Sequence, residues 1–180
     1  MKKRITKVTT KTGDKGTTGM ADGSRVSKAD PVISCIGEID ELNSLIGYLD
    51  SILHLKKYKA TLNRIQNDLF DIGGSLSMGT DNAISKDNIA FIEQEIKILN
   101  DELPDLKNFI LPGGSQGAAI AQYIRSVCRR SERSLVRLNE EKTIEQNKLI
   151  YINRLSDLMF VIARSINKDQ NQDEELWKQN

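Results

Sequence analysis

A chain of 180 residues is long enough for one substantial core and short for two ordinary domains. Its 26 basic and 25 acidic side chains leave a net charge of +1 at pH 7, which argues against a general nucleic-acid surface. Two cysteines without a CxxC pair and a single histidine give little support to a disulfide framework, a histidine-based zinc site or a catalytic triad.

The first thirty residues have no helical period. Lys2, Lys3, Arg4, Lys7, Lys11 and Lys15 crowd this arm, and threonines follow the basic start where a secretory signal would need an apolar run. Ile5, Thr6, Val8 and Thr9 can form a short strand. From Thr9 to Gly19 the chain reads TTKTGDKGTTG. Three glycines permit tight turns and close backbone approach, while hydroxyls and lysines can meet phosphate oxygens. The GxxxxGK[ST] spacing of a Walker A loop is missing. Composition alone leaves two readings: a plain flexible arm, or a loop that folds over a nucleotide.

Pro31 breaks the chain, and a helix is expected over about 32–54. Ile36, Ile39, Leu42, Leu45, Ile46, Leu49 and Leu53 form its apolar stripe. Asp40 and Asn43 fall beside that stripe, near the core. Asp40 is read there as a carboxylate partner for an arginine on a neighbouring helix, with a solvent-facing Asp40 as the alternative. His54 to Tyr58 makes a polar hinge. A second helix follows over 57–72 on Leu62, Ile65, Leu69 and Ile72, with Gly73-Gly74 as its stop and 75–86 as a loop. Ser85 is a cap for a third helix over 86–102, with Asn88 in the box position usually held by Glu or Gln. Pro104 marks its end.

Phe109-Ile110-Leu111 runs abruptly into Pro112-Gly113-Gly114 and the cap residue Ser115. Such a joint sets an apolar side chain near a helix N-terminus, where an anion is also welcome; a staple plus turn is the plainer alternative. No glycine or proline occurs from Ala118 onward, so a long helix over 115–141 is the default. On it Arg125, Arg129, Arg133 and Arg137 form one stripe of like charge, each pair costing roughly 0.2–0.5 kcal/mol if exposed. These guanidiniums call for carboxylates or a polyanion, unless the stripe is a solvated face laced by Glu132, Glu140 and Glu141. A last helix over 143–167 is apolar in nearly every direction around Tyr151–Ala163 and is expected to be buried all round. Asn153, Arg154 and Asp157 interrupt it and must be bonded or line a site. A polar tail ends the chain, with Trp177 as its anchor.

The expected architecture is all-α: a five-helix up-and-down bundle behind a nonregular N-terminal arm. The chain is read as one domain, 1–180, made of an arm (1–30), the bundle (31–167) and the tail (168–180). Cys35 and Cys128 are read as reduced thiols of a cytoplasmic protein, and no stretch is long and apolar enough to span a membrane.

Four blocks, in order, resemble the PduO-type ATP:cob(I)alamin adenosyltransferases. They are TKTGDKGTT at 10–18, GEIDELNSLIG at 37–47, FILPGGS at 109–115 with RSVCRRSER at 125–133, and YINRLSDLMFVIAR at 151–164. The resemblance implies a ferritin-like, cobalamin adenosyltransferase-like fold, a homotrimer, and ATP bound between neighbouring subunits. It assigns Thr10, Thr12, Gly13, Asp14, Gly16, Thr17 and Thr18 to a nucleotide loop with Lys28 nearby, and it gives Arg129, Glu132, Arg133 and Asn153 further contacts to ATP. It pairs Arg125 with Asp40 beside the active site and puts Phe109 below the corrin ring, so that Arg129, Phe109, Asp40 and Arg125 are the residues closest to catalysis. Two departures stand out: Ser131 replaces the alanine of RRAER, and Gln122 replaces a common histidine.

The implied reaction transfers the 5′-deoxyadenosyl group of ATP to the cobalt of cob(I)alamin and releases triphosphate. Mg²⁺ would accompany ATP, with no protein metal ligands assigned. ATP, a corrinoid, and a reductase or acceptor enzyme are the implied partners, without nucleic acid or membrane. The rival classes are a non-catalytic ATP sensor on the same bundle and an RNA-binding arginine stripe.

Overall fold

A computed structural model of the chain describes residues 9–53 and 55–179. His54 and most of the strand expected over Ile5–Thr9 lie outside them, and Thr9 is in no strand. Two short strands, β1 (Thr17–Gly19) and β2 (Arg25–Ser27), precede five helices: α1 (Pro31–Ile52), α2 (Lys56–Met78), α3 (Lys86–Asp101), α4 (Gln116–Glu141) and α5 (Gln146–Asp169). The expected all-α bundle is the observed fold, and the arm is more regular than expected. Its strands pair antiparallel, with Thr17 opposite Ser27, Thr18 opposite Val26 and Gly19 opposite Arg25.

Three of the five helix starts, those of α1, α3 and α4, follow capping chemistry. Asp30 accepts from the Val32 amide with Pro31 in the first helical position, and Ser115 accepts from Ala118. Ser85 accepts from the Asn88 amide while the Asn88 carboxamide oxygen accepts from the Ser85 amide, so asparagine completes the box without Glu or Gln.

One boundary differs from expectation. Helix α2 runs through Gly73-Gly74 and ends at Gly79, whose left-handed φ of 63° turns the chain while the Thr80 amide bonds the Ser75 carbonyl. Glycine costs a helix interior about 1 kcal/mol against alanine, but both neighbours of the pair have core work to do. Leu69, Ile72 and Leu76 are all buried, and that packing carries the helix past the pair. The expected loop therefore begins only after Met78.

Consecutive helices alternate in direction. Glu41 meets Arg130 and Glu38 meets Ser134 between α1 and α4, while Glu132 meets Asn153 and Ser115 meets Asn167 between α4 and α5. Helix α5 packs against α4 and α3, and α2 reaches it through Tyr58 and Asp68. Its second half, Leu158 to Asn167, is buried almost without interruption, apart from half-buried Phe160. Its first half keeps a half-buried polar flank at Asn153 and Arg154, and Asp157 is exposed. None of the described helices is long and apolar enough to cross a membrane.

Both cysteines are free and buried in the core. Burial, with Glu38 adding to it, pushes the Cys35 thiol up to about 11, and burial pushes Cys128 higher still. Both sulfurs are therefore protonated and shielded at neutral pH. A thiol-disulfide reagent such as Ellman's should label neither in the native protein and both after denaturation in guanidinium chloride; one reactive thiol in the native state would contradict this packing.

Candidate functional site

Two positions of the loop from Thr10 to Thr18 take the left-handed backbone conformation. Lys11 and Gly16 have φ of 59° and 78°, and the Gly16 carbonyl accepts from the Lys28 amide at 2.9 Å. At Gly13 a Cβ would sit 3.2 Å from Lys28 Nζ and 3.3 Å from the Thr17 carbonyl, a tight fit that glycine avoids. Lys28 is thus brought over the loop, and the Thr10 and Thr12 hydroxyls meet at 3.0 Å. Sequence reasoning missed Arg25. Its guanidinium donates to the Thr12 carbonyl (2.7 Å), the Thr17 carbonyl (3.3 Å) and the Thr17 hydroxyl (2.9 Å), closing the loop against β2. No spacing signalled this, because the contact exists only once the hairpin has formed.

On α4 the arginine stripe stays free of carboxylates. Among the described residues, Arg125, Arg129, Arg133 and Arg137 make no ion pair. Arg125 donates to the buried Gln122 at 2.8 Å, so this glutamine holds the guanidinium. Arg133 reaches only the Arg129 carbonyl, and Arg137 the Ser134 hydroxyl at 3.4 Å. The one neighbour that is paired is Arg130, off the stripe, with Glu41. Ser131 is buried and donates to the Glu38 carbonyl at 3.3 Å, a contact an alanine would lack.

Glu132 and Asn153 are brought together as a positioned pair: the Asn153 carboxamide donates to Glu132 at 2.9 Å and accepts from Arg154, which in turn bonds Glu93 at 2.9 Å. The weaker Arg154–Asp157 contact is at 3.9 Å. Arg129 and Arg133 flank this network on the exposed face of α4. Unpaired guanidiniums beside a fixed carboxylate and carboxamide suit a polyanion that also offers hydrogen-bond donors.

Asp40 is not near the core. It is exposed, because the 100° step from buried Ile39 turns it onto the flank of α1 that faces away from α4. There it borders an apolar groove of about 300 Å³ between α1 and α2, with Ile33, Ile36, Asn43, Phe70 and Gly73. Phe70 stands 75% exposed beside it. Among the described residues the expected Asp40–Arg125 pair is not formed.

Phe109 is likewise 75% exposed, held on a rigid base. Gly114 has φ of 99°, and a Cβ on it would overlap the Asn167 carboxamide, 2.7 Å from Cγ. That carboxamide accepts from the Ser115 amide at 3.0 Å and donates to the Gly113 carbonyl at 3.4 Å, fixing the turn to the end of α5. Trp177 does anchor the tail: its ring meets Phe109 edge-on, with centroids 6.3 Å apart and planes at 67°.

The chain is a five-helix bundle protein whose loop of glycines and hydroxyls and whose unpaired guanidiniums are groups chemically suited to a polyphosphate. The family model described as cobalamin adenosyltransferase matches residues 8–166, and the chain belongs to that family. A cobalamin adenosyltransferase of Cupriavidus metallidurans is 45% identical over 179 residues, covering 99% of this chain and 97% of that protein. A corrinoid adenosyltransferase of Bacillus subtilis is 41% identical, covering 89% of this chain and 86% of the other. Among solved structures, a variant PduO-type ATP:corrinoid adenosyltransferase from Lactobacillus reuteri, complexed with cobalamin and ATP, aligns with a TM-score of 0.90. It is 36% identical, over 96% of this chain and all of that one.

The Gly113-Gly114 turn separates two glycines by what surrounds them. Gly114→Ala should cost about 2–3 kcal/mol, from strain at positive φ and the collision with Asn167. Gly113→Ala, with open space around its Cβ position, should change stability by about 0.5 kcal/mol or less. Urea denaturation midpoints of the two variants check this ordering.

Proposed function

We propose that this chain transfers the 5′-deoxyadenosyl group of ATP to the cobalt of cob(I)alamin, releasing triphosphate. The observation that carries this reading is the near-complete structural match to a PduO-type enzyme holding cobalamin and ATP. The free Arg129 and Arg133 beside the Glu132–Asn153 pair support it independently.

Reduced cobalt is a strong nucleophile, so the protein has to bind, orient and exclude rather than supply a nucleophile or a proton. In-line displacement at C5′ forms the Co–C bond and breaks the C5′–O bond, and the electron pair of that bond leaves on triphosphate. Arg129, Arg133, Lys28 and the amides around Gly13 and Gly16 would hold the growing charge on the leaving group. Asn153 fixes the carboxylate of Glu132, which can accept from the nucleoside hydroxyls or amine. ATP enters as its Mg²⁺ complex. The described residues gather no cluster of three or more His, Cys, Asp or Glu side chains able to hold a metal, and in this reading phosphate oxygens hold the ion. Phe109 would fill the lower face of the corrin and exclude water or a base from the axial position, which eases reduction of Co(II) to Co(I).

The site is read as shared between copies. The arm lies at the end of the bundle where α1 begins, and Phe109 lies at the opposite end, before α4 begins. A 26-residue helix spans about 39 Å between those ends, more than one nucleotide and one corrin ring bridge. Asp40 and Arg125, unpaired in one subunit, would meet across the interface of a closed homotrimer. The buried, protonated thiols suit the cytoplasm, where a reductase would supply the electron.

The direct test is anaerobic: chemically reduced cobalamin, MgATP and protein, following loss of the cob(I)alamin band. Light-sensitive adenosylcobalamin with equal triphosphate is the expected product. A well-folded protein that binds ATP tightly and makes none would leave the ATP-sensor reading instead. In the same assay Arg129→Ala should lower kcat/KM for ATP by about a hundredfold, as loss of one preorganised donor does. Arg130→Ala, which removes only the surface pair with Glu41, should stay within about twofold.

A further inference from the structure

The tail after α5 does more than end the chain. Gln172 turns back through its amide to the Asn167 carbonyl at 2.8 Å, and the following residues run antiparallel to 109–111. The Leu111 amide donates to the Glu175 carbonyl (2.8 Å) and the Trp177 amide to the Phe109 carbonyl (2.7 Å), with Ile110 opposite Leu176. In this register Phe109 and Trp177 are directly opposed, and their side chains emerge on the same face. The Asn108 side chain closes the ladder by donating to the Trp177 carbonyl at 2.8 Å.

The tail segment is itself pinned to the core. Arg164 on α5 is only 4% exposed, and its Nε donates to both carboxylate oxygens of Glu174 at 3.1 and 3.2 Å. Another of its nitrogens donates to the Pro104 carbonyl at 2.8 Å. A buried guanidinium thus fixes the tail on one side and the approach to Phe109 on the other. Without this, a 75% exposed phenylalanine on a loop would be free to change rotamer.

We propose that residues 172–177 are a positioning strand, anchored by the Arg164–Glu174 pair, and that Trp177 holds the Phe109 ring at the angle at which it meets the corrin. The inference rests on the role proposed for Phe109. Trp177 acts through that ring rather than on the substrate, because a packed aromatic base has to hold its neighbour to within about 0.5 Å.

Trp177 is the only tryptophan, so its fluorescence reports the strand directly in the full chain. Glu174→Gln should raise acrylamide quenching of that emission and lower kcat, whereas unchanged quenching would overturn the anchoring. Trp177→Ala should lower kcat by about tenfold and reduce the four-coordinate cob(II)alamin signal in magnetic circular dichroism, with KM for ATP within about twofold. Trp177→Phe should restore most of both. In a Phe109→Ala background, Trp177→Ala should add no further loss; additive losses would overturn the claim that it works through that ring. A defective Phe109→Ala beside a fully active Trp177→Ala sinks the positioning strand alone. A fully active Phe109→Ala sinks the proposed role of Phe109 and the strand's purpose with it, and an inactive wild-type protein sinks the adenosyl-transfer reading.

Discussion

The structure depends on satisfying the polar groups of α5 inside the protein. This helix is packed by α3 and α4 and reached by α2 through Tyr58 and Asp68, yet it carries Lys148, Tyr151, Arg164 and Asn167 into places with almost no water. Removing one partner from a buried charged pair costs about 3–5 kcal/mol, a large part of a domain's net stability. Each of these groups is accordingly met. Tyr151 donates to Asp68 at 2.8 Å, and Asp68 also accepts from Asn88, tying α2, α3 and α5 at one point. Lys148 donates to the Thr80 carbonyl and lies 3.6 Å from both Asp81 and Glu145. At the far end Tyr58 donates to Asp169 at 2.8 Å and its hydroxyl meets that of Ser165 at 2.9 Å, binding the start of α2 to the end of α5.

The same requirement places the functional segments. Asn167 orients the Gly113-Gly114 turn and the amide of Ser115, the cap residue of α4, while Arg164 pulls in the tail beside Phe109. Nearer its start, α5 presents Asn153 to Glu132 and so fixes one wall of the arginine face. Rigid support from a buried helix is what loop-borne and surface-borne functional groups need. The contrast with the stripe on α4 is physical. Arg129 and Arg133 sit in water-accessible positions, where leaving a guanidinium without a carboxylate costs little and keeps it available. Asp40, on the exposed flank of α1, is in the same situation.

Much of the site was legible because its residues cluster along the chain. The loop at 10–18, the four-residue arginine repeat and the FILPGGS joint are each local patterns, and the structure keeps each of them as a unit. Asp40 was misread as near-core because residues beside an apolar stripe can turn either way, and the neighbour that decides is α2. Gly73-Gly74 was read as a stop because glycine is weak in helices, but the burial of Leu69, Ile72 and Leu76 is worth more than the propensity lost. Arg25 was invisible for a related reason: its three acceptors belong to a loop that closes only through β1–β2 pairing.

By itself, then, and apart from the Asp30 cap, which emerged with the structure, the sequence determined the helix count, the capped starts at Ser85 and Ser115, the apolar faces, and the identity of the groups able to bind a polyphosphate. These follow from local geometry and from periodicity, which neighbouring residues set. Only the tertiary structure decided that α2 continues to Met78, that Asn153 meets Glu132, that Gln122 holds Arg125, and that the tail returns to Phe109. Those contacts join residues far apart in the chain or select among several equally capable partners. Their choice is made by which groups burial leaves in need of a hydrogen bond, and no local pattern carries that information.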